Sequence, residues 1–302
     1  MGKILVPLLF TVTLLSCSEW QNDLFVEDKS NDGNNAPAVT PDGQLYNMNF
    51  DLWSKDGIND VCYGSSASSE QKTVWGSANS TTSLLGKQTC VPERSFTALS
   101  GAGKCAVKLE TQLILNTKLA AGNFFTGQMG AISLATMNAS LKWGIPFTFR
   151  PTALEGYACY KPSIINKANS PYENKIGSVD NGHVFVLLTD WDKQFIVDPA
   201  ENSFVDIDND PKIIGYGKVT FDHSMTGYEK FTINIDYRSV RTPKYVVIVA
   251  SSSALGDYFT GGTGSTLYLD EFRFLYLMIH WGAIVFCNPV AWGGLYLCSG
   301  NQ

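Results

Sequence analysis

Paired carboxylates are the residues of this chain best suited to chemistry, because cleaving a glycosidic bond takes two of them flanking one bond. Asp190 and Asp192 leave the end of an apolar run around Trp191, on the same parity. Glu110, Glu155, Asp236 and Asp257 are further carboxylates in or beside strand-like stretches. The catalytic candidates kept from this group are Glu155, Asp190, Asp192 and Asp257. The same acids also read as solvated loop residues or metal ligands, since closeness in sequence does not set the separation that catalysis requires. Other chemistries lack their signatures: there is no HExxH, no GxSxG, no Walker loop and no zinc-type cysteine spacing. His183, His223 and His280 each lack a partner at metal spacing and read as structural. A Ser-His-Asp arrangement has no serine to nominate it.

Aromatic side chains give the stronger hint. Trp53, Trp75, Trp143, Trp191, Tyr157, Tyr160, Tyr258 and Phe259 sit beside Gly, Asn, Ser or acids rather than inside long apolar runs. Sugar rings offer C–H faces to aromatic planes, and their hydroxyls need polar partners, so a rim of both kinds suits a glycan. The sugar-binding candidates are Trp75, Tyr157, Trp191 and Tyr258, with Arg150 as a polar anchor whose guanidinium can bridge two hydroxyls or a uronate. Core packing is the competing assignment for each aromatic, and a structural salt bridge for Arg150.

The elements that must position these residues read as strand and turn. Tyr245–Ala250 is a β-branched run, and Leu267–Phe274 is apolar but carries Asp270, Glu271 and Arg273. Between them the loop holds Gly256, Gly261, Gly262 and Gly264, either as a tight corner or as a ligand-facing rim. Tyr46–Trp53 alternates, Lys104–Leu115 reads as a strand with Val107 and Leu109 on one face, and Phe147–Arg150 as a short one before Pro151. Val184–Leu188 is apolar on both faces, and Phe231, Ile233, Ile235 and Tyr237 alternate with polar residues. No segment of the main body keeps a long 3.6-residue apolar period. Short strands separated by turn signals predict an all-β sandwich or jelly roll.

The chain of 302 residues has a net charge of −6. It shows no Lys/Arg cluster, so nucleic acid is a poor partner. Its start reads as an address: Lys3, an apolar run from Ile4 to Leu15, then Leu14-Leu15-Ser16-Cys17 as a lipobox. The expected organisation is a signal peptide over 1–16, a tether over 17–43 from lipidated Cys17, a sandwich over 44–276 and an apolar extension over 277–302. Leu275–Leu297 lacks charged residues and raises the question of a membrane span, against which stand Gly282, Pro289, Gly293 and Gly294. Cys62, Cys90, Cys105 and Cys159 are compatible with disulfides in three full pairings. Cys287 and Cys298 have no assignment.

Several blocks in order resemble the putative carbohydrate metabolism domain (PCMD) of Bacteroidetes lipoproteins. They are Asn49–Trp53, Val74–Asn79, Ala106–Thr111, Ala121–Gly127, Gly144–Pro151 and the loop from Ser251 to Asp270. The resemblance implies a sandwich like carbohydrate-binding jelly rolls and a role in glycan capture or breakdown. Comparison with carbohydrate-binding sandwiches adds a structural calcium ion where the first strand meets the last, with Asp51 and Asp270 as ligands or, equally, as surface acids. The expected protein is an outer-membrane-anchored lipoprotein, periplasmic or surface-exposed, that binds poly- or oligosaccharide for a polysaccharide-uptake system. A two-carboxylate glycoside hydrolase and an adhesin-like structural domain are the alternatives.

Overall fold

The computed structural model describes residues 36–133, 138–280 and 283–285. Two antiparallel sheets dominate it. The smaller has five strands, in the order Glu229–Asn234, Ala153–Lys161, Thr266–Leu275, Ala106–Glu110, Cys90–Glu93. The larger has nine, with the path Phe195–Val197, Asn138–Trp143, Asn123–Ser133, Tyr245–Ser251, Gly182–Thr189, Ile213–Phe221, Asp236–Tyr237. Trp75–Gly76 adds to the strand Asn123–Ser133, and Ile145–Pro146 adds to Tyr245–Ser251. The α-helix Asn79–Thr82 has four residues.

Alternation explains how the layers form. On the strand Gly182–Thr189, Val184, Val186 and Leu188 face the five-stranded sheet and join Val107, Leu109, Leu154, Leu267 and Leu269 in the inner core. Phe185 and Leu187 point the other way, into a second cluster with Phe125, Leu141, Trp143, Trp191 and Val249. Phe195, Phe204, Val205 and Ile207 pack over that outer cluster. A strand covered on both faces needs apolar residues at every position, which is the pattern of Val184–Leu188. The molecule is an all-β sandwich with a covered outer face.

Local expectations fare unevenly. Ala106–Glu110 and Gln112–Ile114 are strands, broken at Thr111, whose Oγ1 lies 2.8 Å from Ser252 Oγ and 2.6 Å from Ser253 Oγ. Tyr46–Trp53 is not a strand: Asn47 and Phe50 have φ of +56° and +57°. That irregular path drives Phe50 into the core, edge-on to Trp75, Phe124 and Phe272. The short strand expected over Phe147–Arg150 lies one step earlier, at Ile145–Pro146. The body also begins before Gln44: Ala38 packs on the core, and Gln44 makes two side-chain hydrogen bonds to the backbone of Phe274, at 3.1 and 2.8 Å. Within the stretch expected as a tether, Ala38 and Val39 thus pack on the sandwich.

Cys62, Cys90, Cys105 and Cys159 are buried free thiols, so none of the three disulfide pairings is formed. Burial pushes the Cys105 thiol up to about 11, which makes it a packing group rather than a nucleophile. Among the described residues, no helix is long and apolar enough to cross a membrane. Cys17, Cys287, Cys298 and most of the apolar tail lie outside the described residues.

Candidate functional site

A polar cleft of about 340 Å³ opens beside the sandwich, within the roughly 300–1,000 Å³ range of ligand pockets. Its walls are the hairpin Ser54–Asp56 and Asn59–Val61, residues 72–80, and the strand Asn123–Ser133. The hairpin closes through the two-residue turn Gly57-Ile58, with Asp56 paired to Asn59 and Lys55 to Asp60. Trp53 Nε1 donates to the Phe50 carbonyl at 2.8 Å, and Ser54 Oγ donates to the Tyr63 carbonyl at 2.7 Å. Asn79, buried at the back, ties the parts together. Its Nδ2 donates to the Asp60 carbonyl at 3.1 Å, and its Oδ1 accepts from Thr89 and Cys90 N–H at 3.2 Å each.

The lining suits a sugar. Trp53 and Tyr63 are half-buried aromatic faces, and Trp75 forms the floor, stacked on Phe124 at 4.8 Å. Asp56, Asn59, Asp60, Lys72, Ser77 and Gln128 supply donors and acceptors around them. Asp60 pairs with Lys55 at 2.7 Å, whereas Asp56 is exposed. Ser80 Oγ is buried in the same wall without a hydrogen-bond partner. Burial first, and the Asp56 carboxylate second, raise the Tyr63 hydroxyl above its ordinary value, so it stays a neutral donor.

The acids nominated by sequence do not converge. Asp190 ends the strand Gly182–Thr189, beside Tyr245, while Asp257 lies past Ser251, which pairs with His183 at the other end. Six register positions separate Thr189 from His183, or about 20 Å at the strand rise, too far to flank one bond. Glu155 lies in the other sheet, gripped by Arg273 and, at 2.8 Å, by Lys230. Burial would raise its carboxyl, but those two hydrogen bonds outweigh it and hold it below the usual range. Asp190 pairs with Arg241. Asp192 is exposed between Lys212 at 2.6 Å and Lys244 at 3.0 Å, and Lys212 above all holds it down to about 2. All three are ion-paired, and Glu155 and Asp192 are shifted away from what a general acid needs, whereas desolvation pushes Asp257 up to about 6. Glu110 likewise pairs with Lys108 at 2.8 Å.

Of the sugar-binding candidates, only Trp75 lines the cleft, and only as its buried floor. Trp191 is 5% exposed in the outer cluster and donates from Nε1 to Asp210 Oδ2 at 2.9 Å. Arg150 caps the Tyr237 ring at 4.1 Å and donates to the carbonyls of Arg241 and Ser239. Tyr157 is half-buried on the five-stranded sheet. Tyr258 is stacked on Phe204 at 5.3 Å and edge-on to Tyr172 at 4.9 Å, away from the cleft. The residues that sequence reasoning missed are Tyr63, Asp56, Asp60 and Asn79. The signal was present in the hairpin word Asp56-Gly57-Ile58-Asn59 next to Trp53.

The calcium expectation meets a different cation. Asp51 Oδ2 lies 2.9 Å from Lys104 Nζ and accepts from Asn49 Nδ2 at 2.6 Å, while its Oδ1 accepts from Cys105 N–H at 2.9 Å. The same ammonium reaches Glu271 at 2.6 Å. Asp270, 1% exposed, accepts from Ala98 N–H at 2.7 Å through Oδ2 and leaves Oδ1 without a partner. Asp51 is thus paired with an ammonium that also holds Glu271, whereas Asp270 keeps one unpaired oxygen, and a calcium ion, which takes six to eight oxygens, would draw most of its shell from backbone carbonyls. Among the described residues, no group of three His, Cys, Asp or Glu side chains is placed to hold a metal ion.

Sheet order, covered outer face and lateral cleft together define an antiparallel β-sandwich domain. The family model described as putative carbohydrate metabolism domain matches residues 49–275, most of the chain, and the protein belongs to that family. Two solved structures share the fold. One, a putative glycoside hydrolase from Bacteroides vulgatus, gives a TM-score of 0.55 at 20% identity, over 74% of this chain and 95% of that one. The other, a putative glycoside hydrolase from Bacteroides thetaiotaomicron, gives 0.52 at 20% identity, over 75% of this chain and 67% of that one. None of the curated proteins matches the chain.

Proposed function

We propose that the cleft beside Trp53 and Tyr63 binds a poly- or oligosaccharide without cleaving it. Membership of a carbohydrate metabolism family supports the substrate class. The observation that carries the reading is the lining itself: two half-buried aromatic faces among six polar side chains, in a cleft of about 340 Å³. Aromatic planes take the C–H faces of a sugar, and the surrounding amides, carboxylates and lysine take its hydroxyls. Binding without turnover is favoured because cleavage needs two committed carboxyls, one of them a proton donor. In the cleft, Asp60 is engaged with Lys55 and Asp56 lies in solvent. The lipobox ending at Cys17 supports a lipid-anchored protein of the outer membrane, on its periplasmic or surface face, feeding a polysaccharide-uptake system.

The test is a glycan array run on the purified protein, with a parallel assay for new reducing ends. Binding without new ends is expected, reduced at least tenfold by Tyr63→Ala and by Trp53→Ala in protein that still melts cooperatively. Binding that survives both substitutions would place the glycan elsewhere. New reducing ends abolished by Asp56→Asn or Asp60→Asn would replace capture with hydrolysis. A folded protein that is silent on every glycan would leave the structural, adhesin-like role.

A further inference from the structure

The glycan cleft is electrically balanced, although the chain as a whole carries a net charge of −6. Its wall holds three charged side chains, Asp56, Asp60 and Lys72. Asp60 is neutralised from outside the wall by Lys55 at 2.7 Å. That leaves Asp56 and Lys72, both exposed, and neither has an ion-pair partner among the described residues. Both act at the same ring. Lys72 Nζ lies 5.9 Å from the centroid of the Tyr63 ring, over its face. Burial and, behind it, the Asp56 carboxylate raise the Tyr63 hydroxyl, so that carboxylate is felt by the same side chain. Opposite charges held at one aromatic ring, yet not paired with each other, stay available to whatever stacks on it.

We propose that the cleft is specific for uncharged sugars, with Asp56 turning away uronates and Lys72 turning away amino sugars. This rests on the glycan reading of the cleft. A hydroxyl group both donates and accepts, so one neutral sugar satisfies the carboxylate and the ammonium together. A uronate gains from Lys72 but brings its own carboxylate to Asp56. An amino sugar gains from Asp56 but meets the ammonium of Lys72. At physiological salt a charge is felt over about 8 Å, more than the 5.9 Å from Lys72 to the ring. For a charged sugar stacked there, attraction to one group and repulsion from the other oppose each other. Such a sugar still carries the cost of taking its charge out of water, which a neutral one does not.

The test measures the affinity of the full chain for gluco-, galacto- and manno-configured oligosaccharides, each in neutral, uronate and amino-sugar form. In any set that binds, the neutral form is expected to be at least fivefold tighter than either charged form. Asp56→Asn should raise the uronate-to-neutral affinity ratio about fivefold and lower the amino-to-neutral ratio. Lys72→Gln should move both ratios the other way. These crossed shifts separate selection by charge from a purely structural role, which would weaken all three forms alike. The inference is overturned if a charged form binds the parent as tightly as its neutral counterpart. It is equally overturned if either variant leaves both ratios unmoved or moves them in the same direction. Neutral binding that survives Tyr63→Ala and Trp53→Ala overturns the cleft reading and this one with it, as does silence on every sugar. Binding that is lost in those two variants but blind to charge in the parent overturns this inference alone.

Discussion

Asp270 is the residue whose surroundings oppose its charge most directly. It is buried in the last strand of the five-stranded sheet, and burial pushes its carboxyl up to about 6 from the usual 3.8, aided by Glu271 and Asp51. The native state therefore holds a proton that the unfolded chain releases between those two values. Its contribution to stability must fall as pH rises from about 4 to about 6 and then stay lower. Asp270→Asn removes the ionisation and keeps an oxygen for the Ala98 N–H. The variant should be more stable than the parent at pH 8, by up to about 3 kcal/mol, and equal to it near pH 4. A melting difference that is constant with pH would sink this account. Beside it, Lys104 supplies the positive charge that Asp51 and Glu271 share. Chelator should leave Tm unchanged at fixed ionic strength, whereas Lys104→Met should cost about 1–3 kcal/mol, because it strands two half-buried carboxylates. The acids were legible in the sequence as acids. Their partners were not, since Asp51 meets Lys104 and Glu155 meets Arg273 across strands far apart in the chain.

At the scale of elements, the glycine-rich loop after Ser251 turns on one residue that nothing in its own stretch announces. Asp180, 2% exposed, accepts through Oδ2 from Ser253 Oγ at 2.6 Å, Gly262 N–H at 2.7 Å and Ser265 Oγ at 2.8 Å. A Cβ on Gly262 would sit 2.8 Å from the Ile164 carbonyl, so this backbone approach needs glycine. The loop is a corner, closed by a buried carboxylate. Asp180→Ala leaves three buried donors unpaired and should destabilise by roughly 2–4 kcal/mol, with amide exchange fastest over residues 253–265. Uniform acceleration across both sheets would mean that Asp180 does not organise this loop in particular. Sequence alone read the loop's composition but left corner and rim both open, because the deciding acceptor lies 73 positions away. The strand Val184–Leu188 was legible because every position had to be apolar. Tyr46–Trp53 misled because its alternation comes from a positive-φ path that buries Phe50, not from a pleat.

At the scale of the whole molecule, the question is which side of a wall each aromatic occupies. Composition announced many aromatics but not their layer, and both layers of this sandwich consume them. The inner core takes Phe50, Trp75 and Phe124, and the outer cluster takes Trp143, Phe185 and Trp191, which leaves Trp53 and Tyr63 as the half-buried faces of the cleft. A flanking glycine or acid does not distinguish these cases, because turns border both the layers and the surface. Trp191 provides the sharpest test. It sits among Phe195, Leu187 and Val197, with its indole N–H on Asp210. Trp191→Ala should therefore cost about 3–5 kcal/mol through the cavity it leaves. Trp191→Phe should cost less, lowering Tm by a few degrees, and should leave glycan affinity within twofold of the parent. Loss of binding in folded Trp191→Phe would return this residue to the rim and move the glycan to the outer face. Retained binding with a lowered Tm would fix the division of labour: buried aromatics hold two layers together, and the lateral hairpin carries the aromatic faces left for a ligand.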